Sequence, residues 1–146
     1  VLTRANTDSG IQKMLFDSRG EYAEYCYYKH GDSGGIEGQM LMKGITNAIE
    51  EVHLQMISNT YHYLDWNPEE IDHLICHQVG QKSHESLCEI AEVAIEKAPI
   101  SYRDYGNITT ATIPLNLHFA KPNKGDKILL IGGGSGLSSY QGGIQW

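Results

Sequence analysis

The sequence predicts an α/β domain in which helices cover a mixed, mainly parallel sheet. Two observations lead there. Short apolar runs such as Leu74-Ile75-Cys76 and Ile128-Leu129-Leu130-Ile131 are strand-sized, and they alternate with stretches whose apolar residues recur every three or four positions. The order reads strands, helix, strand, helix, strand, helix, strand, strand. Alternation of that kind favours parallel strands joined by helices that pack back on the sheet. The 146 residues have the length of one domain and are treated as a single unit, residues 1–146.

Val1-Leu2-Thr3-Arg4 alternates weakly and Asn6-Thr7-Asp8-Ser9-Gly10 forms a turn, so Ile11 to Phe16 is expected to return as the second arm of an N-terminal hairpin. Glu21 to Lys29 is rich in tyrosine, which suits a strand with one half-wet face. His30-Gly31-Asp32-Ser33-Gly34-Gly35 is a loop. From Gln39 to Leu64 the period changes, and Leu41, Ile45, Ala48, Ile49, Val52, Met56 and Tyr61 make one apolar helical face. Asn67-Pro68-Glu69-Glu70 combines an N-cap, a first-turn proline and carboxylates at the positive end of a helix dipole, predicting a single turn before a strand from Asp72 to Cys76. A second helix is predicted from Gln81 to Lys97 and a short strand from Ile100 to Tyr105. Thr109 to Ala120 regains helical spacing, with Pro114 near its first turns. Lys127 to Ile131 and Leu137 to Ile144 are expected to close the domain as an antiparallel pair.

A net charge of −7 argues against general binding to nucleic acid or to a membrane surface, both of which need a cationic face. No apolar stretch reaches the ~20 residues of a membrane span. Cys26, Cys76 and Cys88 have no zinc or redox spacing and are expected to be reduced, as in a cytoplasmic protein. The chain starts at Val1 without a methionine or a signal-like segment, and reads as a fragment.

Two polar side chains stand out. His77 ends an apolar strand and precedes Gln78-Val79-Gly80, and ligand sites of open α/β sheets lie beyond the carboxyl ends of strands. Asn107 sits on a turn hinged by Gly106 that opens an apolar helix. An asparagine after glycine often only shapes a turn. Offered to one point with an imidazole, however, its amide can help donate two hydrogen bonds to a developing oxyanion. Gly132-Gly133-Gly134-Ser135-Gly136 resembles a phosphate loop, but the residues after it read as strand where such a loop needs a helix. A tight connection lined with backbone N–H groups fits better. His73, His77 and His84 lack a fourth ligand at useful spacing, so no metal is expected. Cys76 adjoins His77, yet neighbours on a strand face opposite ways and cannot pair as nucleophile and base. No cofactor is expected.

Ile71-Asp72-His73-Leu74-Ile75-Cys76-His77-Gln78 resembles the histidine motif of the β-ketoacyl-acyl-carrier-protein synthase III family of the thiolase superfamily. Gly106-Asn107-Ile108-Thr109-Thr110-Ala111-Thr112-Ile113-Pro114 resembles its asparagine motif. Met42-Lys43-Gly44 is similar to the start of its long helix, and Gly125 through the closing strand is similar to its C-terminal hairpin. The resemblance covers the whole chain. It implies the C-terminal thiolase-like half, a mixed, mainly parallel five-stranded sheet of βαβαβαββ type, with the N-terminal half and its nucleophilic cysteine absent. It further implies acyltransferase chemistry, a (decarboxylative) Claisen condensation of acyl thioesters in fatty-acid or related lipid synthesis, by an enzyme inactive without its other half. His77 and Asn107 would be catalytic and stabilise a thioester enolate. The backbone around Gly134, Ser135 and Gly136 would hold an acyl carbonyl, and Lys82 would meet the carrier protein. The implied partners are the N-terminal half, acyl carrier protein or coenzyme A thioesters, and a second copy in a homodimer. Two departures are visible. Val79-Gly80 replaces the usual Ala-Asn after His-Gln, and the helix after Gly44 lacks the usual valine–phenylalanine. Both lean toward relatives that condense other acyl thioesters, such as olefin-pathway condensing enzymes, and a non-catalytic partner domain is a further alternative.

Overall fold

The computed structural model describes residues 8–32, 34–134 and 136–146. The expected strand at Val1-Leu2-Thr3-Arg4, and with it the first arm of the N-terminal hairpin, lies outside the described residues, as does Ser135. In chain order the strands are β1 Gly10–Ser18, β2 Cys26–His30, β3 Ile36–Met40, β4 His73–Cys76, β5 Lys127–Gly134 and β6 Ser138–Gln145. The α-helices are α1 Met42–Leu64, α2 Gln81–Ala91, α3 Tyr102–Tyr105 and α4 Thr112–Ala120.

Four strands form one sheet in the order β1-β6-β5-β4, and β2 and β3 pair as a separate hairpin. β4 and β5 are parallel, while β6 is antiparallel to both of its neighbours. Packing explains why β4 and β5 read as unbroken apolar runs. Leu74, Cys76, Leu129 and Ile131 turn to one face, against Ile57 and Leu64 of α1 and Leu87 and Ala91 of α2. The alternate residues Ile75, Ile128 and Leu130 meet Ile113, Leu117 and Ala120 of α4 on the other.

The parallel pairing sets the position of everything that follows. Cys76 pairs with Ile131, and the His77 N–H extends the ladder by donating to the Ile131 carbonyl at 2.9 Å. β4 therefore ends into His77 beside the last, glycine-rich residues of β5, Gly132–Gly134, at the same edge.

Several expectations shift locally. The Tyr-rich stretch divides into a 3₁₀ segment, Gly20–Tyr25, and β2. The long helix begins at Met42 because β3 holds the chain through Met40. Asn67 and Glu70 do form a capping box around the 3₁₀ turn Pro68–Glu70. The second helix stops at Ala91, six residues before the expected Lys97. Glu92 adopts a left-handed φ of 54°, its N–H bonds to Glu89 O and the Val93 N–H to Cys88 O, a Schellman ending that sends Val93 into the core. α1 ends the same way, with Asp65 left-handed and Trp66 buried.

The expected strand at Ile100 to Tyr105 is not one, which leaves the sheet four-stranded among the described residues. Buried Gln78 takes its place. Its Oε1 accepts from the backbone N–H groups of Ser101 (2.9 Å) and Tyr102 (3.2 Å), and its Nε2 donates to the Pro99 carbonyl at 2.6 Å. Groups that a ladder would need are thereby captured, and the chain coils into α3 instead.

Candidate active site

His77 is half-buried at the sheet edge. Burial lowers its pKa, and a hydrogen bond with the Thr109 backbone, which favours the protonated ring, opposes the shift only in part. The imidazole is therefore neutral near pH 7, with one N–H donor and one bare nitrogen.

Asn107 arrives from α3 through Gly106, whose φ of 66° with ψ −153° is open to glycine at little cost. Its Oδ1 accepts from the Thr109 N–H at 2.9 Å, a local turn that fixes the amide. With the oxygen engaged in that turn, the NH2 is left to donate.

Both side chains line one cavity of about 350 Å³, together with Gly133, Gly134 and Gly136 of the β5–β6 connection. Its remaining wall is largely apolar and aromatic, from Tyr22 and Tyr25 of the 3₁₀ segment, Ile45 and Ile49 of α1, Ile113 of α4, and Leu137 and Tyr140. Among the described residues no Asp, Glu, Lys or Arg lines it. Donors beside such a wall meet no competing ion, and they gain strength wherever a bound substrate excludes water.

The glycine-rich connection is a β-hairpin, Gly134 pairing with Ser138, so no helix follows it to hold a phosphate. Lys82, the second residue of α2, is exposed and stands outside the main cavity. It lines an open depression with Gly80, Gln81 and Ser83, and Val79 borders both spaces. Cys76 turns into the core, away from His77, where burial pushes its thiol up to about 12 and its Sγ lies 3.5 Å from His84 Nδ1. Among the described residues no cluster of His, Cys, Asp or Glu could hold a metal ion, and no helix is long and apolar enough to cross a membrane.

Other features carry no signal in the sequence. Cys26 of β2 lines the main cavity, the one cysteine that does. Gln78 ties the His77 strand end to the segment that delivers Asn107 through backbone partners more than twenty residues away.

Residues 62–146 match the family described as 3-oxoacyl-[acyl-carrier-protein (ACP)] synthase III, C terminal. The chain is 31% identical to the β-ketoacyl-[acyl-carrier-protein] synthase III of Rickettsia rickettsii, across 100% of its own length and 48% of that relative's. Among solved structures, it superposes on the 3-oxoacyl-[acyl-carrier-protein] synthase III of Aquifex aeolicus VF5 with a TM-score of 0.86 at 24% identity, covering 99% of this chain and 47% of that one. OleA of Xanthomonas campestris gives a TM-score of 0.77 at 21% identity, covering 91% and 39%. At those identities the structures establish the thiolase-like fold, and the chain spans about half the length of the curated relatives it matches. The chain thus belongs to the 3-oxoacyl-acyl-carrier-protein synthase III family, and it corresponds to that family's C-terminal half.

Proposed function

We propose that this chain supplies the enolate-stabilising half of a condensing acyltransferase, with the nucleophilic cysteine contributed by the half its relatives carry in addition. One observation carries the reading: an imidazole and a carboxamide NH2 line a single uncharged, largely apolar cavity beside a glycine-rich backbone. When a malonyl thioester loses carbon dioxide, the bonding electrons move into an enolate whose charge rests on the thioester oxygen. The His77 N–H and the Asn107 NH2 would donate to that oxygen. The enolate carbon then attacks the acyl group on the cysteine, and the cysteine leaves as thiolate. Backbone N–H groups near Gly134 and Gly136 would hold the acyl carbonyl. Lys82 would receive an acidic carrier protein, coenzyme A thioesters serving as the other acyl source. The family resemblance extends the proposal to a cytoplasmic homodimer.

A second reading is condensation of long-chain acyl thioesters, as in olefin-pathway enzymes. It is favoured by Val79, which replaces alanine and adds an apolar wall to the cavity, and by Gly80, beside which a Cβ would meet nothing within 4 Å.

Intact-mass analysis tests the division of labour. Incubated with an acyl-coenzyme A, the 146-residue chain should gain no mass, whereas the full-length protein should gain one acyl group on a cysteine outside it. Stoichiometric acylation of Cys26, Cys76 or Cys88 would overturn the proposal, and Cys26 is the critical one because it faces the cavity.

A further inference from the structure

Behind the site a buried polar chain links α1 to β6. Gln141 is fully buried. Its Oε1 accepts from Thr60 Oγ1 at 2.8 Å, while its Nε2 donates to the His53 carbonyl at 2.9 Å and lies 3.1 Å from His53 Nδ1. A carbonyl can only accept, so the amide group facing it is the NH2, and that NH2 makes Nδ1 an acceptor. His53 is 1% exposed, and burial pulls its pKa down to about 4. The ring is neutral at pH 7 and carries its proton on Nε2. This N–H has no acceptor among the described residues. A buried polar group left unpaired costs about 1–3 kcal/mol.

His53 lines a second, smaller cavity of about 50 Å³ together with Thr46, Ser83, Gly133 and His77. Ile45, Ile49, His77, Val79 and Gly133 line both cavities, so His77 stands in the wall between them. Glycine at 133 keeps that wall thin, since a Cβ there would sit 3.8 Å from His53 Nε2. The small cavity has room for one or two waters, and no Asp, Glu, Lys or Arg lines it among the described residues. On the other side, the Thr109 carbonyl favours a proton on the His77 nitrogen facing it. A neutral imidazole that donates on one side has a bare nitrogen on the other.

We propose that a water in the small cavity joins the His53 Nε2–H to the bare nitrogen of His77, making His53 a positioning residue that fixes which nitrogen of His77 presents its proton to the main cavity. The water accepts from His53 and donates to His77, and Ser83 Oγ offers it a further partner. One water thus gives the orphaned His53 donor a partner and donates to the ring of His77, and the hydrogen bond at one ring nitrogen sets the tautomer at the other. The kinetic consequence rests on the role proposed for His77; the tautomer does not.

The test is ¹⁵N NMR of histidine-labelled full-length protein, with turnover measured alongside. Wild type should show His77 as a single tautomer. His53→Leu should mix the tautomers and lower kcat for condensation about tenfold at unchanged KM, the low end for partners that orient a functional histidine. His53→Gln, which keeps a donor near the place of Nε2, should restore both. An unchanged His77 spectrum in His53→Leu would overturn the proposal. Should that variant fail to fold, a wild-type crystal structure decides: a water within hydrogen-bond distance of His53 Nε2 and His77 supports it, and a dry cavity sinks it. If His77→Ala leaves condensation intact, the proposed function falls while the tautomer result still judges the water.

Discussion

Asn107 owes its usefulness to what its oxygen does. By accepting from Thr109, Oδ1 anchors the amide and leaves its NH2 available as a donor. His53 shows the reverse case, a side chain whose burial fixes its charge. A histidine held neutral binds fewer protons folded than unfolded between about 4 and its ordinary value of 6.5. Its contribution to stability is therefore complete above that ordinary value and is lost as pH falls toward 4. His77 and His84 are shifted in the same direction and reinforce the slope. We expect the urea midpoint of the full-length protein to drop as pH falls through that window. His53→Gln should flatten the curve by up to about 3 kcal/mol, from 1.36 kcal/mol per pKa unit. A midpoint whose pH slope is the same in wild type and variant would contradict this origin.

At the scale of elements, Gln78 couples a strand end to the loop that brings Asn107. Removing its side chain leaves the N–H groups of Ser101 and Tyr102 and the carbonyl of Pro99 without partners, and Ser101 is fully buried. Gln78→Ala should cost about 1–3 kcal/mol for the groups left unpaired and speed hydrogen exchange at the Ser101 and Tyr102 amides. Unchanged exchange there would show that the clamp is not what holds the segment. The same residue explains why Ile100 to Tyr105 does not form the expected strand. Its apolar and aromatic residues suit a strand, and the competing acceptor lies more than twenty residues upstream. The overlong second helix has a different cause. Glu92 ends it in a left-handed conformation that sequence rules assign to glycine, and the pull comes from a core site for Val93. Where local chemistry decides, as in the Asn67–Glu70 capping box or the apolar face of α1, sequence and structure agree.

For the whole molecule, the legible part of the site is the part set by strand order. His77 and the glycine connection share an edge because β4 and β5 are parallel, and that follows from a helix-containing crossover between apolar strands. The aromatic wall from Tyr22 and Tyr25, the approach of Cys26 and the His53–Gln141–Thr60 chain, whose hydrogen bonds span 88 and 81 positions, depend on tertiary contacts and leave no local pattern. The central claim is that His77 and Asn107 act on charge that develops after the cysteine is loaded. Single-turnover acyl loading measured beside overall condensation, for His77→Ala and Asn107→Ala in the full-length protein, tests it most directly. Condensation should fall ~10²–10³-fold in each variant, the usual effect of losing one preorganised donor, while loading holds. The double variant should lose less than the product of the singles, because the two donors share one oxygen. Loading and condensation falling by the same factor would mean that these residues serve the cysteine or the fold, and intact condensation in both variants would end the reading altogether.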